Sequence, residues 1–405
     1  MQLELVLHVM VMTICCSYQL IVTATIEDEI KLINDVIEKR SVFSKCDPQS
    51  EKIVYINVIF FPMFIIELQE REQVLSSSGY IDLWWTDSRL TWNASSYGGI
   101  EKMYVKQNMI WIPDIITENS VAGYNILGSG EDFVLVHSSG KVEWSPGNIF
   151  KTVCKVDVFT FPFDSQKCFL NISSWMYNSK RVSLLATEDS INMDFFTKNS
   201  EWILSNVSVS KSASTPTGEI ETQEMMSFIF RLKRHSTFYV LKIIIPPVIL
   251  SILNSFVFIV PPESGEKVSM SVTTMLSLTV FLSYIGDITP NNSDSIPMIA
   301  LFVVLHLALG ALSIICNILI LNIHFEAMKD KEKRDLRREI MVNRSNKDEP
   351  AEVTMDQIPN CEKIPKDMKA QRARKIIRNL DMFFFGFSML SSIGVTVGCV
   401  AMMLT

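Results

Sequence analysis

The sequence predicts a multidomain membrane protein in which an extracellular antiparallel β-sandwich precedes a four-helix transmembrane bundle. One observation behind this is the region from Lys52 to about Arg234, where short β-rich runs alternate with turn residues. The other is a set of four apolar stretches, about 238–260, 268–286, 297–321 and 380–404. Each approaches the roughly 20 residues that a helix needs to cross hydrocarbon. A mean hydropathy of +0.23 beside 20% charged residues fits a chain that is part soluble and part membrane.

Residues 1–24 are apolar from Leu5 to Val22 and end in Thr23-Ala24-Thr25, the pattern of a secretory signal cleaved near Ala24. Glu4 stands where basic residues are usual, and an uncleaved anchor is the alternative. Residues 26–40 carry a helical period, with Ile30, Ile33, Val36 and Ile37 on one side. The runs that follow are Ile53–Phe61, Ile65–Glu70, Tyr80–Trp85, Asp132–His137, Val142–Trp144, Lys151–Val158, Cys168–Trp175, Ile203–Val209 and Met226–Leu232. They define a sandwich domain over 25–235. Three glycosylation sequons, at Asn93, Asn171 and Asn206, lie inside it and agree with export.

The first three spans occupy 236–322, and the first carries Pro246-Pro247, expected to kink it. Residues 323–379 hold the basic clusters Lys329–Arg334 and Arg372–Arg378, so the positive-inside rule makes this loop cytoplasmic. Its end, Lys366–Leu380, reads as an amphipathic helix running into the fourth span, and the stretch around 340–365 reads as a flexible linker. Residues 380–405 are the fourth span and an extracellular C-terminus, which gives a multi-pass protein of the plasma membrane.

The second span has an unusual face. Glu266, Ser269, Thr273, Leu276, Val280, Tyr284 and Asp287 fall on one helical stripe, with acids at both ends and two apolar rings between. Carboxylates and hydroxyls suit lipid poorly, whereas Val272, Met275, Leu278, Phe281, Leu282 and Ile285 on the other faces suit it well. Several copies around an axis would line water with the stripe, constrict it at Leu276 and Val280, and favour cations at Glu266 and Asp287. The competing reading is a bundle helix whose hydroxyls bond to its neighbours.

The net charge of −7 leaves no basic footprint for nucleic acid. No phosphate-binding glycine loop, nucleophile–histidine–acid set or metal-spaced histidine group appears, so neither an enzyme nor a cofactor is expected. Cys154 and Cys168 bracket thirteen residues that include Phe161-Pro162-Phe163-Asp164. A bridge of that size contributes on the order of 3 kcal/mol in an exported domain. Cys46 has no evident partner, Cys361 lies in a charged segment, and Cys316 and Cys399 lie in apolar spans.

Several motifs together carry a resemblance. They are the Cys-x13-Cys loop around Phe-Pro-Phe-Asp, Trp85-Thr86-Asp87-Ser88-Arg89-Leu90-Thr91-Trp92, Trp111-Ile112-Pro113-Asp114, Ser264-Gly265-Glu266-Lys267 and Leu276–Leu282. The chain closely resembles the pentameric Cys-loop ligand-gated ion channels, in the branch of nicotinic acetylcholine and serotonin-gated cation channels. The resemblance implies a homo- or hetero-pentamer in the bilayer, with a small extracellular ligand bound at subunit interfaces. It also implies a pore for monovalent cations, with calcium permeability left open. Glu70, Arg234, the Phe161–Asp164 loop and Pro290 match coupling positions, Glu266 the selectivity ring and Leu276 the central gate.

The implied ligand cage is incomplete. Trp175 matches its central tryptophan, Tyr80 its complementary-face aromatic, and Tyr177 lies beside Trp175. Glu118 stands where the family has a tyrosine, and Ser210–Gln223 lacks both the adjacent cysteine pair and the tyrosines of the last binding loop. The resemblance therefore implies a ligand-gated cation-channel subunit, with two competing expectations. One is an accessory subunit that needs partners; the other is a chemosensory receptor for a ligand other than acetylcholine.

Overall fold

The computed structural model describes residues 24–38, 53–186, 190–214, 223–290, 296–345 and 366–404. The signal segment up to Thr23, Cys46, Cys361, the 346–365 part of the linker and the 215–222 part of the last binding loop lie outside the described residues. The chain divides into two compact units, residues up to Val156 with Ser165–Arg234, and Asp157–Asp164 with His235 onward.

The first unit opens with helix α1, Ile26–Ile33, whose N-cap Thr25 exchanges hydrogen bonds with Asp28. Its eleven described strands are β1 Val54–Gln69, β2 Val74–Thr91, β3 Lys102–Lys106, β4 Ile115–Thr117, β5 Phe133–His137, β6 Ser139–Trp144, β7 Gly147–Val153, β8 Ser165–Ser174, β9 Val182–Leu185, β10 Trp202–Ser214 and β11 Gln223–Arg234. They form two sheets, one in the order β3-β5-β6-β2-β1-β9 with β7 also on β2, the other β10-β11-β8-β4. All pairings are antiparallel except β1 with β9, where Val54 faces Val182 in a parallel register. Phe60, wholly buried, meets the rings of Phe150, Phe228 and Phe230, so residues from both sheets build one aromatic core.

The sequence splits β1 in two, and the structure shows why. Val54, Ile56, Val58 and Phe60 point inward, but the register shifts between Pro62 and Phe64, and burial resumes on Ile65 and Leu68. A bulge that changes the inward phase ends the period-two pattern without ending the strand. Gly79 lies opposite Pro62, where a Cβ would stand 2.7 Å from the Phe61 carbonyl oxygen. Strands β3, β4 and β9 are too short to register as separate runs, and β7 stops at Val153 although Val156 and Val158 are buried. Cys154 and Cys168 form the expected disulfide, with Cα atoms 5.0 Å apart.

The second unit contains four helices long and apolar enough to cross a membrane. Helix α2 covers Thr237–Ile259, α3 Lys267–Ile288, α4 Met298–Ser345 and α5 Lys366–Leu404. The irregularity in α2 is a π-helical turn at Val240–Ile244, just before Pro246 and Pro247, whose missing amide hydrogens interrupt the hydrogen-bond ladder. Helix α5 runs unbroken from Lys366 into the fourth span.

Replacing Phe60 with Ala removes a ring that three others touch and should cost about 3–5 kcal/mol. Thermal unfolding of the detergent-solubilised full chain checks this; F60A should unfold at a clearly lower temperature and F60L should lose much less.

Candidate functional site

The extracellular candidate site is built around the end of β8. The Asp114 carboxylate accepts from Ser174 Oγ at 2.5 Å and from the Met176 amide at 2.6 Å. The Trp175 amide donates to the Asp114 carbonyl at 3.0 Å, and Gln223 Nε2 donates to the Ser174 and Trp175 carbonyls, both at 3.2 Å. These bonds fix the backbone on both sides of Trp175 and leave its indole 52% exposed. Such a rigid, half-open aromatic surface is suited to a cationic ligand.

The ring that stacks on Trp175 is Tyr124, at 5.6 Å between centroids and 26° between planes. Sequence reasoning missed it. The loop after β4 folds back through a bridge between Ile116 and Ile126 and a bond from the Leu127 amide to the Ile115 carbonyl. Tyr124 thus arrives from six positions beyond Glu118, the position the family pattern singles out. The only available signal was an aromatic residue in a polar loop. Glu118 is exposed, and its amide bonds to the Asn171 carbonyl at 2.8 Å. Tyr177 turns away from Trp175 and meets Trp111 edge-on at 6.2 Å, and Trp111 in turn meets the buried Trp85.

Tyr80, on β2 in the other sheet, stacks on Phe61 at 4.5 Å with an 8° tilt. Desolvation, aided by the carboxylates of Asp82 and Asp194, pushes its phenol above the ordinary range, so it keeps its proton. Tyr80 and the Trp175–Tyr124 stack therefore occupy different sheets of the chain.

Arg234 closes β11 with its side chain fully buried. Its Nη1 lies 2.7 Å from Glu70 Oε1 and 3.6 Å from Glu201 Oε1, and its guanidinium sits 4.2 Å from the Trp202 ring centre. Two carboxylates and an aromatic face offset the cost of burying this charge. Desolvation of Glu70 outweighs the pull of Arg234 and raises its carboxyl above the usual range.

In the helical unit, Glu266 is the N-cap of α3 and is exposed. Ser269, Thr273, Leu276, Val280 and Asp287 are exposed with it, Leu276 and Val280 at 64% and 63%. Thr273 Oγ1 donates to the Ser269 carbonyl at 2.9 Å within the helix. Tyr284 departs from the stripe: it is half-buried, and Lys242 of α2 lies 5.0 Å from its ring centre. The opposite face is buried and tied to three helices. Lys267 Nζ meets Asp381 Oδ1 of α5 at 2.6 Å, Ser271 Oγ accepts from Asn317 of α4 at 3.3 Å, and Thr274 Oγ1 donates to Asn254 of α2 at 3.3 Å. Leu278 and Ile285, expected among the lipid-facing residues, are buried on this same face.

The loop from Asp157 to Asp164 groups with the helices. Phe161 and Pro162 are buried, Phe163 is half-buried and Asp164 is buried. The Phe161 ring stands edge-on to Tyr239 of α2 at 5.3 Å, and the Phe159 carbonyl accepts from the Met298 amide of α4 at 3.1 Å. Pro290 is buried just past α3.

Two family models match the chain. The neurotransmitter-gated ion-channel ligand binding domain covers residues 29–236, and the neurotransmitter-gated ion-channel transmembrane region covers 243–381. The chain belongs to the neurotransmitter-gated ion-channel family. Its relatives include neuronal acetylcholine receptor subunit beta-4 of Bos taurus, 32% identical over 73% of this chain and 59% of that protein. Acetylcholine receptor subunit beta of Xenopus laevis is 29% identical over 75% and 63%, and acetylcholine receptor subunit alpha-like 2 of Drosophila melanogaster 31% over 69% and 50%. The matched region thus spans less than two thirds of the length of these relatives.

As in its family, the first unit is extracellular and the helices cross the membrane. Of the three sequons in this neurotransmitter-gated channel-family chain, Asn93 and Asn206 are exposed. Asn171 is half-buried in β8 with its Oδ1 enclosed, a poorer position for a glycan. No group of three metal-binding side chains occurs among the described residues.

The Glu70–Arg234 pair generates two expectations. In a double-mutant cycle, E70Q and R234Q should each destabilise, and the double variant should recover about 1–3 kcal/mol relative to their sum. In R234Q, Glu70 keeps a raised carboxyl with no compensating guanidinium. The folded form then holds its proton to higher pH than the unfolded form, so stability should fall as pH rises above the ordinary carboxylate range. Thermal unfolding against pH reads both effects; a flat profile for R234Q would contradict the desolvation account.

Proposed function

We propose that the chain is a subunit of a pentameric, extracellular-ligand-gated cation channel whose pore is lined by α3. The observation that carries this reading is the two-sidedness of α3. Lys267, Ser271 and Thr274 are secured behind the helix, while Glu266, Ser269, Thr273, Leu276, Val280 and Asp287 are left exposed on the opposite side. A membrane helix that presents carboxylates and hydroxyls where none of its own neighbours covers them needs water there. In a ring of copies, Leu276 and Val280 supply the constriction and Glu266 and Asp287 the acidic mouths.

In this reading, Trp175 and Tyr124 form the principal face of a cation site, Tyr80 the complementary face, and Glu118 a peripheral charge. The relatives' names point to acetylcholine as the first ligand to try. Agonist binding shifts a closed–open equilibrium. Glu70–Arg234, the Phe161–Asp164 loop and Pro290 pass the change to the helices. Sodium and potassium are the proposed permeant ions, and Asn93 and Asn206 the favoured glycan sites.

A second reading has its own support. Ser210–Gln223 has no cysteine or tyrosine, so this segment brings neither a disulfide nor an aromatic side chain to the principal face. The chain then contributes Tyr80 to a partner's site and gives no agonist current alone.

Expression of L276T by itself separates the readings. A leak whose reversal potential follows sodium, when sodium is replaced by a large impermeant cation, marks a homomeric cation pore. Absence of current despite surface protein marks the accessory role, and a reversal that follows chloride overturns the assignment of Glu266. Where acetylcholine evokes current, W175A and Y124A should each weaken its apparent affinity by about tenfold, between the exposed and the desolvated limits of a cation–π contact.

A further inference from the structure

Lys242 is the one charged residue in the first membrane span, Thr237–Ile259. A cation within a span is costly and needs a partner. Among the described residues no carboxylate pairs with it, and its Nζ instead lies 5.0 Å from the ring centre of Tyr284 on α3 and 5.6 Å from that of Phe238, one turn back on α2. The ammonium thus bridges α2 and α3 through an aromatic face. Lys242 is also the middle residue of the π-helical turn Val240–Ile244, the irregular part of α2.

The place of this bridge along α3 gives it consequence. Lys267, Ser271 and Thr274 bond to three other helices, but the hydroxyls of Ser277 and Thr279 beyond them donate within α3, to the Thr273 and Leu276 carbonyls. Leu278 and Ile285 continue the buried face as apolar packing, which has no direction of its own. Leu276 and Val280 therefore lie between a segment fixed by hydrogen bonds and an outer end whose polar link to another helix is Lys242 with Tyr284. Val280 and Asp287 on either side of Tyr284 are exposed, whereas Tyr284 is half-buried. If the outer end of α3 turned or tilted away from α2, the ammonium would lose the face that offsets its place in the membrane.

We propose that Lys242 is a positioning residue for the gate: its cation–π contact with Tyr284 holds the outer end of α3 against α2 and so sets the closed–open equilibrium of the Leu276/Val280 constriction. This rests on the reading of α3 as the pore helix.

The test is a double-mutant cycle on the full chain with K242Q and Y284L, read as leak current per surface channel in the L276T background and as unfolding temperature of the detergent-solubilised protein. Each single variant should change the ratio of open to closed channels by about two- to fivefold, the scale of an exposed cation–π contact, and both in the same direction. The double variant should add little to either, in leak or in unfolding temperature. K242R, which keeps the cation, and Y284F, which keeps the ring, should both behave as the parent. Additive effects, a Y284F variant as altered as Y284L, or an unfolding cycle that couples while the leak stays unchanged would each overturn the proposal, the last because the contact would then be packing alone. A silent L276T at the cell surface overturns the pore reading and this gating role with it, and the unfolding cycle then reports separately whether Lys242 holds Tyr284.

Discussion

The helical unit depends on how the back of α3 is secured. Lys267, Ser271 and Thr274, successive on one face, reach Asp381 of α5, Asn317 of α4 and Asn254 of α2. Each contact is polar and buried, so a rotation of α3 would strand its partners in an apolar bundle, which is costly. Leu278 and Ile285 extend the same face as apolar packing. The exposed stripe is the geometric complement of that attachment.

A comparable division operates in the sandwich. Trp175 is exposed because its backbone is over-determined, with Asp114 and Gln223 holding the residues on either side. The Trp-Ile-Pro-Asp motif contributes a clamp as well as core, since Trp111 packs against Trp85 while Asp114 bonds to Ser174 and Met176. Arg234 follows the same logic at the other end of the sheet. Burial makes its charge expensive, and Glu70, Glu201 and Trp202 together offset that cost.

The Cys154–Cys168 disulfide closes the base of a loop whose tip belongs to the helical unit. The Phe161 ring at that tip is buried against Tyr239. Two contacts within the unit, Phe161 with Tyr239 and Phe159 with Met298, place the tip at the beginnings of α2 and α4.

Much of this was legible from local pattern. The four spans, the disulfide loop, the β-rich region and the α3 stripe all rest on periodicity, composition or spacing, and these persist in a linear chain. The continuity of β1 through Pro62 was hidden because a bulge changes which residues point inward, and short β4 carries too few residues for a period. Tyr284 is half-buried where the rest of the stripe is exposed, and Lys242, from another helix, lies 5.0 Å from its ring centre. By itself, then, the sequence determined the fold class, the membrane spans and the polarity of α3, since each is a sum over neighbouring residues. Only the tertiary structure decided that Tyr124 stacks on Trp175 and that Tyr177 packs against Trp111. Those juxtapositions join residues far apart in the chain or set the direction of one side chain, and packing alone settles them.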